Sequence, residues 1–561
     1  MCSQKLPHLR PTENGMQLIV DGRPFLVLAG ELQNSSLSSA AYMDTVWQRL
    51  VDMHINTVLG CVTWEVIEPN EGQFSFQELD KVILAARQHR LRLILLWFGS
   101  FKNGNSTYVP TWVKTNPKRF PRAKLRKAGG VLQTSDALSI FHDEAQRSDA
   151  SAFAQLMRHL KEFDEKYSTV IMVQVQNESG LLGDSRDGCV AAEERFSQPV
   201  PVELLTFLAN DWDNLHSDLR RNLVQFKAQS QARGSWTEVF GNGPQTDELF
   251  MAYHYALYLN HIASAGKTEY PIPLFTNVWQ NYGDTDNTYT VVAAGGRMPG
   301  EYPSGGGTTT VLDIWQQFAP ALDFISPDVY LNDYVSICSK YRHRNQPLFI
   351  PEQRRDEYGA RRIWVAYGSY QAIGVSPFGI DTIEPTTNPF GKHYALIDSL
   401  SPIILEAQQH PGSSFGFFFD ELAADGSDPC KAVVHHSGGY EITIERSVVF
   451  GKQGPGCGMV IHRGGARFLL IGWGFQVRAR SLSLTAAFTG ILRFEEKIVI
   501  NKETGELKTL RVLNGDETGG GAFAVMPNET PDYGGFPIPA MIPARTMIAE
   551  LEVYSLDESE L

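Results

Sequence analysis

The 561-residue chain reads as a (β/α)8 TIM barrel of the α/β class, followed by a C-terminal all-β, sandwich-like region. Three observations predict this. Short apolar runs alternate with helical periodicity over roughly the first 390 residues, the rhythm of a parallel sheet with helical crossovers. Several runs stop abruptly at a polar or acidic residue, as strands do where a barrel opens onto its loops. After Leu400 the periodicity fades, and alternating β runs separated by Gly-rich turns take over. The predicted division is residues 1–400 for a barrel with an N-terminal hairpin and 401–561 for an all-β accessory domain.

Residues 15–31 (GMQLIVDGRPFLVLAGE) predict a hairpin turning at Asp21-Gly22 and leading into strand one, 25–30. A helix over 38–53, strand two over 56–62, a helix over 76–88 and strand three over 91–97 follow. A Gly/Asn/Lys-rich insertion from Phe98 to Asp143 carries the basic run 114–127 and is read as a solvated loop. The helix 144–167 delivers the chain to VIMVQVQNESG, a buried strand over 170–177 that runs straight into Glu178. Helices over 201–232 and 245–265 and short strands over 273–277, 324–327, 347–351 and 372–380 complete the barrel. Beyond it, β runs are expected over 440–450, 458–462, 467–472, 492–501 and 546–554.

A net charge of −14 argues against nucleic acid or an anionic membrane as partner, since both need clustered Lys and Arg. A neutral ligand such as a small carbohydrate suits it better. The six cysteines (Cys2, Cys61, Cys189, Cys338, Cys430, Cys457) lack metal-ligand spacing and read as free thiols, and neither metal nor cofactor is expected. The opening MCSQKLPHLRPTENG has no apolar core and no long apolar run follows, so a cytoplasmic protein is expected. Two sequons, at Asn34 and Asn177, fall at strand ends, while those at Asn105 and Asn528 fall in loops. Oligomeric state is not legible. No P-loop, no GxGxxG opening a helix, no HExxH and no strand-to-helix Ser nucleophile elbow is read.

The chemistry lies at two strand ends. Glu178 follows strand four, and Glu352, in PLFIPEQRRD, follows strand seven. Two carboxyls on one barrel rim are what glycosidic bond cleavage needs: one protonates the leaving oxygen, and the other attacks the sugar or activates water.

The Asn177-Glu178 pair, a Glu after strand seven and the opening GRPFLVLAGE resemble clan A retaining glycosidases, and in particular the β-galactosidases of glycoside hydrolase family 35, over residues 15–400. Runs at 30–36, 63–69, 96–100 and 299–306 resemble the branch containing bacterial xyloglucan-active exo-β-galactosidases. The resemblance implies Glu178 as acid/base and Glu352 as nucleophile. Asn177 is expected on the sugar 2-hydroxyl, Glu31, Asn34 and Glu65 on sugar hydroxyls, Tyr330 on the nucleophile, and Trp64, Trp97 and Trp279 as stacking platforms, with Asn277 and Glu384 as further contacts. The sequence departs from the commoner family pattern at Glu65 and at Trp97-Phe98-Gly99-Ser100, which puts sugar specificity in question. A retaining exo-β-galactosidase is expected. The alternatives are an exo-glycosidase acting on β-L-arabinopyranosides or β-D-fucosides, and a catalytically silent carbohydrate-binding barrel.

Overall fold

The computed structural model describes residues 6–228, 233–282, 295–447, 453–528 and 545–560. Cys2 and part of the Asn528 sequon lie outside them. Eight parallel strands form the barrel: β1 (Val27–Glu31), β2 (Thr57–Thr63), β3 (Arg92–Lys102), β4 (Val170–Asn177), β5 (Leu274–Val278), β6 (Phe324–Pro327), β7 (Phe349–Gln353) and β8 (Gly374–Pro377). They are hydrogen-bonded in the order β6-β5-β4-β3-β2-β1-β8-β7. The last seam closes just past the end of β6, where the Val329 N–H donates to the Glu352 carbonyl at 2.9 Å.

Strand alternation separates two cores. Val27, Ala29, Leu59, Cys61, Ile94, Leu96, Phe98, Phe275, Phe324 and Phe349 fill the barrel. Leu28, Val58, Leu93, Leu95, Trp97, Val173 and Val175 face the helices. Burial of each Val, Leu, Ile or Phe among them contributes about 1.5–3 kcal/mol. Leu18 and Val20 of the hairpin pack on the inner cluster. The hairpin turns at Asp21-Gly22 with φ of 50° and 77°, the left-handed pair a two-residue turn requires, and a further strand, His8–Thr12, precedes it.

Helices 77–88, 143–164 and 244–269 stand close to where the periodicity predicts them. Two others do not. The segment expected as one helix over 38–53 breaks into Ser36–Ser38, Ala40–Met43 and Trp47–Asp52: Ser39 is extended and its hydroxyl caps the Tyr42 N–H, and Thr45 Oγ1 donates to the Tyr42 carbonyl and so competes with helix propagation. The helix expected over 201–232 becomes Val202–Asn210, Ser217–Asn222 and Val224–Ala228, interrupted where Asn214 bonds Asp211 and His216 caps the next turn. The insertion after β3 is not an open loop either: its basic run forms one strand of a hairpin, Arg122–Arg126 with Leu132–Leu138, anchored by Arg126 on Asp184 and Asp247.

From Ser414 onward the chain forms a six-stranded and a four-stranded antiparallel sheet. Phe417, Phe419, Val460, Leu470 and Leu551 of one sheet meet Ile442, Ile444, Phe475 and Val477 of the other in a shared core. The strand Ser414–Phe419 also lies against the helix Glu357–Ser369, so closely that a Cβ on Gly416 would stand 1.8 Å from the Trp364 carbonyl.

Candidate active site

β4 reaches the rim through two strained residues. Gln176 and Glu178 adopt left-handed φ of 62° and 46°, each costing about 1 kcal/mol or more for a residue with a side chain. The kink overrides strand alternation. Gln176 turns outward to donate to Asp149 at 2.8 Å, while Asn177 turns inward and donates to Glu352 Oε1 at 3.2 Å. At β7, a register shift between Ile350 and Gln353 similarly moves Glu352 onto the inner face.

Three neutral donors converge on Glu352: Asn177 Nδ2 and Asn277 Nδ2 on Oε1, both at 3.2 Å, and the Tyr330 hydroxyl on Oε2 at 2.9 Å. Hydrogen bonds of this kind stabilise a carboxylate. Asn277 is itself held, its Oδ1 accepting from the Glu178 N–H at 3.0 Å and its Nδ2 also reaching Asp328 at 2.8 Å. One carboxyl oxygen from each of Glu178, Asp328 and Glu352 lies within 4.8 Å of the others.

Such crowding favours shared protons. Burial, and then the Glu352 charge, push Glu178 up to about 7. Asp328 is held well above the ordinary carboxyl range by burial and by Glu352, Glu178 and Glu31. Its Oδ1 has no hydrogen-bond partner among the described residues, and its carboxyl can face Glu178 favourably only if the pair shares a proton. Burial raises Tyr330 as well, so its hydroxyl remains a donor. A three-carboxyl cluster also has the donor types of a cation site. Here, however, the lone pairs of Glu352 are turned toward the Asn and Tyr donors, and the Lys102 ammonium already stands beside the cluster.

The carboxyls open into a cavity of about 230 Å³ lined by Asn34, Lys102, Glu178, Trp279, Tyr330 and Glu352 among others. Asn34, Glu178, Trp279, Tyr330 and Glu352 line this cavity, and Asn177 and Asn277 hydrogen-bond Glu352. Glu31 lies beneath them, in inward phase with Val27 and Ala29. It is buried, its Oε2 has no partner among the described residues, and burial raises its carboxyl well above the usual range.

Four expected contacts are corrected. Trp64 and Trp97 are fully buried on the helix side, their indole N–H groups donating to Glu68 at 2.7 Å and Asp149 at 2.8 Å. Neither can stack on a sugar. Glu65 points outward to Lys114 at 2.7 Å, and Glu384, 70% exposed, pairs with Arg49 at 2.9 Å. Exposed pairs of this kind contribute about 0–1 kcal/mol. Glu65→Ala and Glu384→Ala should accordingly leave kcat/KM within about fivefold of wild type; a larger loss in steady-state assays would return these residues to the site. Lys102, Asp328, Asn103, Tyr282, Asn332 and Phe378 line the cavity without having been expected there.

Residues 38–239 match a family model described as β-galactosidase, that of glycoside hydrolase family 42. This match makes the segment similar to a β-galactosidase family and marks the chain as a glycoside hydrolase. The resemblance to family 35 is corrected here, since family 42 is the one whose model matches. Residues 390–524 match a second model, a domain of unknown function (DUF5597). No curated protein matches the chain. Among solved structures, the β-amylase catalytic domain from Paenibacillus polymyxa aligns at 12% identity and a TM-score of 0.44, covering 65% of this chain and 94% of that one. The β-galactosidase from Bacillus circulans sp. alkalophilus aligns at 14% and 0.44, covering 68% and 57%. A family 42 β-galactosidase from G. stearothermophilus aligns at 18% and 0.40, covering 68% and 56%. The chain thus spans a little over half the length of those two galactosidases. Among the described residues no helix is long and apolar enough to cross a membrane.

Proposed function

We propose that the chain is a retaining exo-β-galactosidase with Glu178 as acid/base and Glu352 as nucleophile. The observation that carries this reading is the separation of their carboxyl oxygens, within 4.8 Å. Retaining enzymes place the two groups about 5 Å apart, whereas inverting ones leave room for a water between them. The electrostatics support these roles. Glu352 receives three neutral donors that favour its anion, while Glu178 is held protonated into the neutral range.

In the first half-reaction Glu178 gives its proton to the glycosidic oxygen, and a Glu352 oxygen attacks the anomeric carbon from the opposite face. The C–O bond to the aglycone breaks and a glycosyl ester forms. In the second, Glu178, now a carboxylate, takes a proton from water, whose oxygen attacks the same carbon and releases Glu352. Two inversions leave the configuration unchanged. Asn177 is placed to hold the sugar 2-hydroxyl, a contact that strengthens as positive charge develops at the anomeric carbon. A compact cavity floored by buried charged groups suits a single terminal sugar, and Trp279, on its wall, is the remaining stacking candidate. The sheets beyond Ser414 are proposed as an accessory domain, with the boundary near residue 400.

A panel of nitrophenyl β-D-galactoside, β-L-arabinopyranoside and β-D-fucoside tests substrate and activity together. Preference for the galactoside is expected; no turnover of any of them would sink the reading. The acid/base assignment predicts loss of kcat/KM as pH rises through about 7. Because the Glu352 charge helps raise Glu178, Glu352→Gln should move the alkaline limb of the residual activity to lower pH. An unmoved limb in the pH–rate profile would contradict the coupling.

A further inference from the structure

The site contains one group that neither the carboxyl pair nor the sugar contacts explain. β3 does not stop where its apolar run ends at Trp97; it continues to Lys102 and carries a lysine into the centre of the barrel mouth. The detour is built. Asp149 binds Trp97 Nε1 at 2.8 Å and the Ser100 N–H at 2.7 Å, the Phe101 N–H donates to Gln176 at 2.8 Å, and Gly99 leaves no space for a Cβ beside Asp149. The turn that follows, with Asn103 and Gly104 at φ of 50° and 65°, sends the Gly104 N–H to the Glu178 carbonyl at 3.1 Å.

Lys102 is buried and its Nζ donates to Asn177 Oδ1 at 3.0 Å. Among the described residues lining the cavity it is the sole cationic one, and it faces Glu31, Glu178, Asp328 and Glu352. We propose that Lys102 is a positioning residue of the double displacement: its ammonium locks the Asn177 amide with the nitrogen toward Glu352, and its permanent charge lets Glu178 change from acid to base between the half-reactions. The proposal rests on the reading of Glu178 and Glu352 given above.

The first role follows from donor arithmetic. An ammonium has no acceptor, so the Asn177 atom facing it must be the oxygen, which turns Nδ2 onto Glu352 Oε1. Without the lysine only the Glu352 carboxylate orients that amide, and Asn177 Oδ1 loses the donor that fixes its other end. The second role follows from the charges around Glu178. Glu31, Asp328, Glu352, Tyr330 and Lys102 surround it, and of these only Lys102 is positive. Burial alone would strip the ammonium of its charge; the surrounding carboxyls outweigh that and hold Lys102 above its ordinary value. In the resting site burial and, after it, the Glu352 charge keep the proton on Glu178. Once Glu352 is esterified its charge is gone while that of Lys102 remains, so a Glu178 that has lost its proton to the aglycone is stabilised as the carboxylate that must deprotonate water.

The test compares the full-length wild type with Lys102→Met, which removes charge and donors, and Lys102→Gln, which keeps a donor for Asn177 without the charge. Nitrophenyl and dinitrophenyl β-galactosides are followed against pH, with kcat and KM separated and thermal melts run in parallel. Lys102→Met should lower kcat/KM by about 10–100-fold or more, as loss of a supporting shell does, and should shift the alkaline limb to higher pH. Deglycosylation should slow enough for a pre-steady-state burst to appear with the dinitrophenyl substrate. Lys102→Gln should show the same limb shift with a smaller loss. A Lys102→Met enzyme that melts cooperatively and keeps both its limb and its kcat within about threefold of a turning-over wild type would overturn the role of Lys102 alone. Should Lys102→Met not fold, an unshifted limb in Lys102→Gln would overturn it equally. Absence of wild-type turnover would overturn both this role and the galactosidase reading.

Discussion

Glu352→Gly is expected to lower kcat on aryl β-galactosides by about 10⁵-fold or more, the scale on which removal of a covalent nucleophile acts. That is about 7 kcal/mol of transition-state stabilisation. The loss should be this large because, among the described residues of the rim, no other carboxyl is free to take over. Asp328 is the nearest carboxyl, but burial and its neighbours hold it toward the protonated form, and it already faces Glu178 and Asn277. The glycine leaves a space flanked by Asn177, Asn277 and Tyr330, three donors that previously faced an anion. Added azide should occupy that space, restore cleavage of activated substrates in a concentration-dependent way, and yield a glycosyl azide of inverted configuration. Analysis of the product's anomeric configuration decides the matter. Rescue with retained configuration, or turnover undiminished by the substitution, would remove Glu352 from the nucleophile's position.

Much of this site could be read in the chain, and its limits are physical. The rim positions of Glu178 and Glu352 were legible because each terminates an apolar run, and barrel geometry turns a strand terminus into a place on the rim. Strand phase was the information most easily misjudged. Trp97 sits in odd register with Ile94, Leu96 and Phe98 and therefore faces the helices, a distinction available from alternation alone. Asn177 shares the outward phase of Val173 and Val175, and only the left-handed Gln176 brings it inside. No propensity announces a positive φ at glutamine. Asp328 stands one residue beyond β6, in the Ser-Pro-Asp-Val-Tyr run, and its position at a strand terminus was the same signal that marked Glu178. Lys102 was hidden because β3 outlasts its own hydrophobic pattern, sustained by hydrogen bonds to Asp149 and Gln176 from distant elements. The outward turn of Glu65 and Glu384 depends on Lys114 and Arg49, partners too remote in sequence for local spacing to reveal.

Glu178→Gln should separate catalysis from stability in opposite directions. On substrates with poor leaving groups, kcat/KM should fall by about 10²–10⁴-fold, the usual contribution of a general acid. With a dinitrophenyl leaving group, which needs no proton, glycosylation should be nearly unaffected while hydrolysis of the ester slows for want of a base. Folding responds to the same group through linkage. The Glu178 carboxyl rises from 4.5 to about 7 on folding, so between those values the folded state binds the additional proton. The stability contributed by the neutral form is therefore fully present below about pH 4.5 and is lost as pH rises through about 7. Glutamine keeps the shape, is neutral at every pH, and removes one charge from a cluster that also holds Glu352, Asp328 and Glu31. At pH 8 the variant should thus be more stable than wild type by about 1–3 kcal/mol, the difference vanishing near pH 4.5. Thermal melts across that range provide the readout. A stability difference independent of pH would mean that Glu178 is not the buried, proton-holding group that the reaction requires, because the burial and neighbouring charge that keep it a competent acid are the same forces that make its anion unfavourable in the fold.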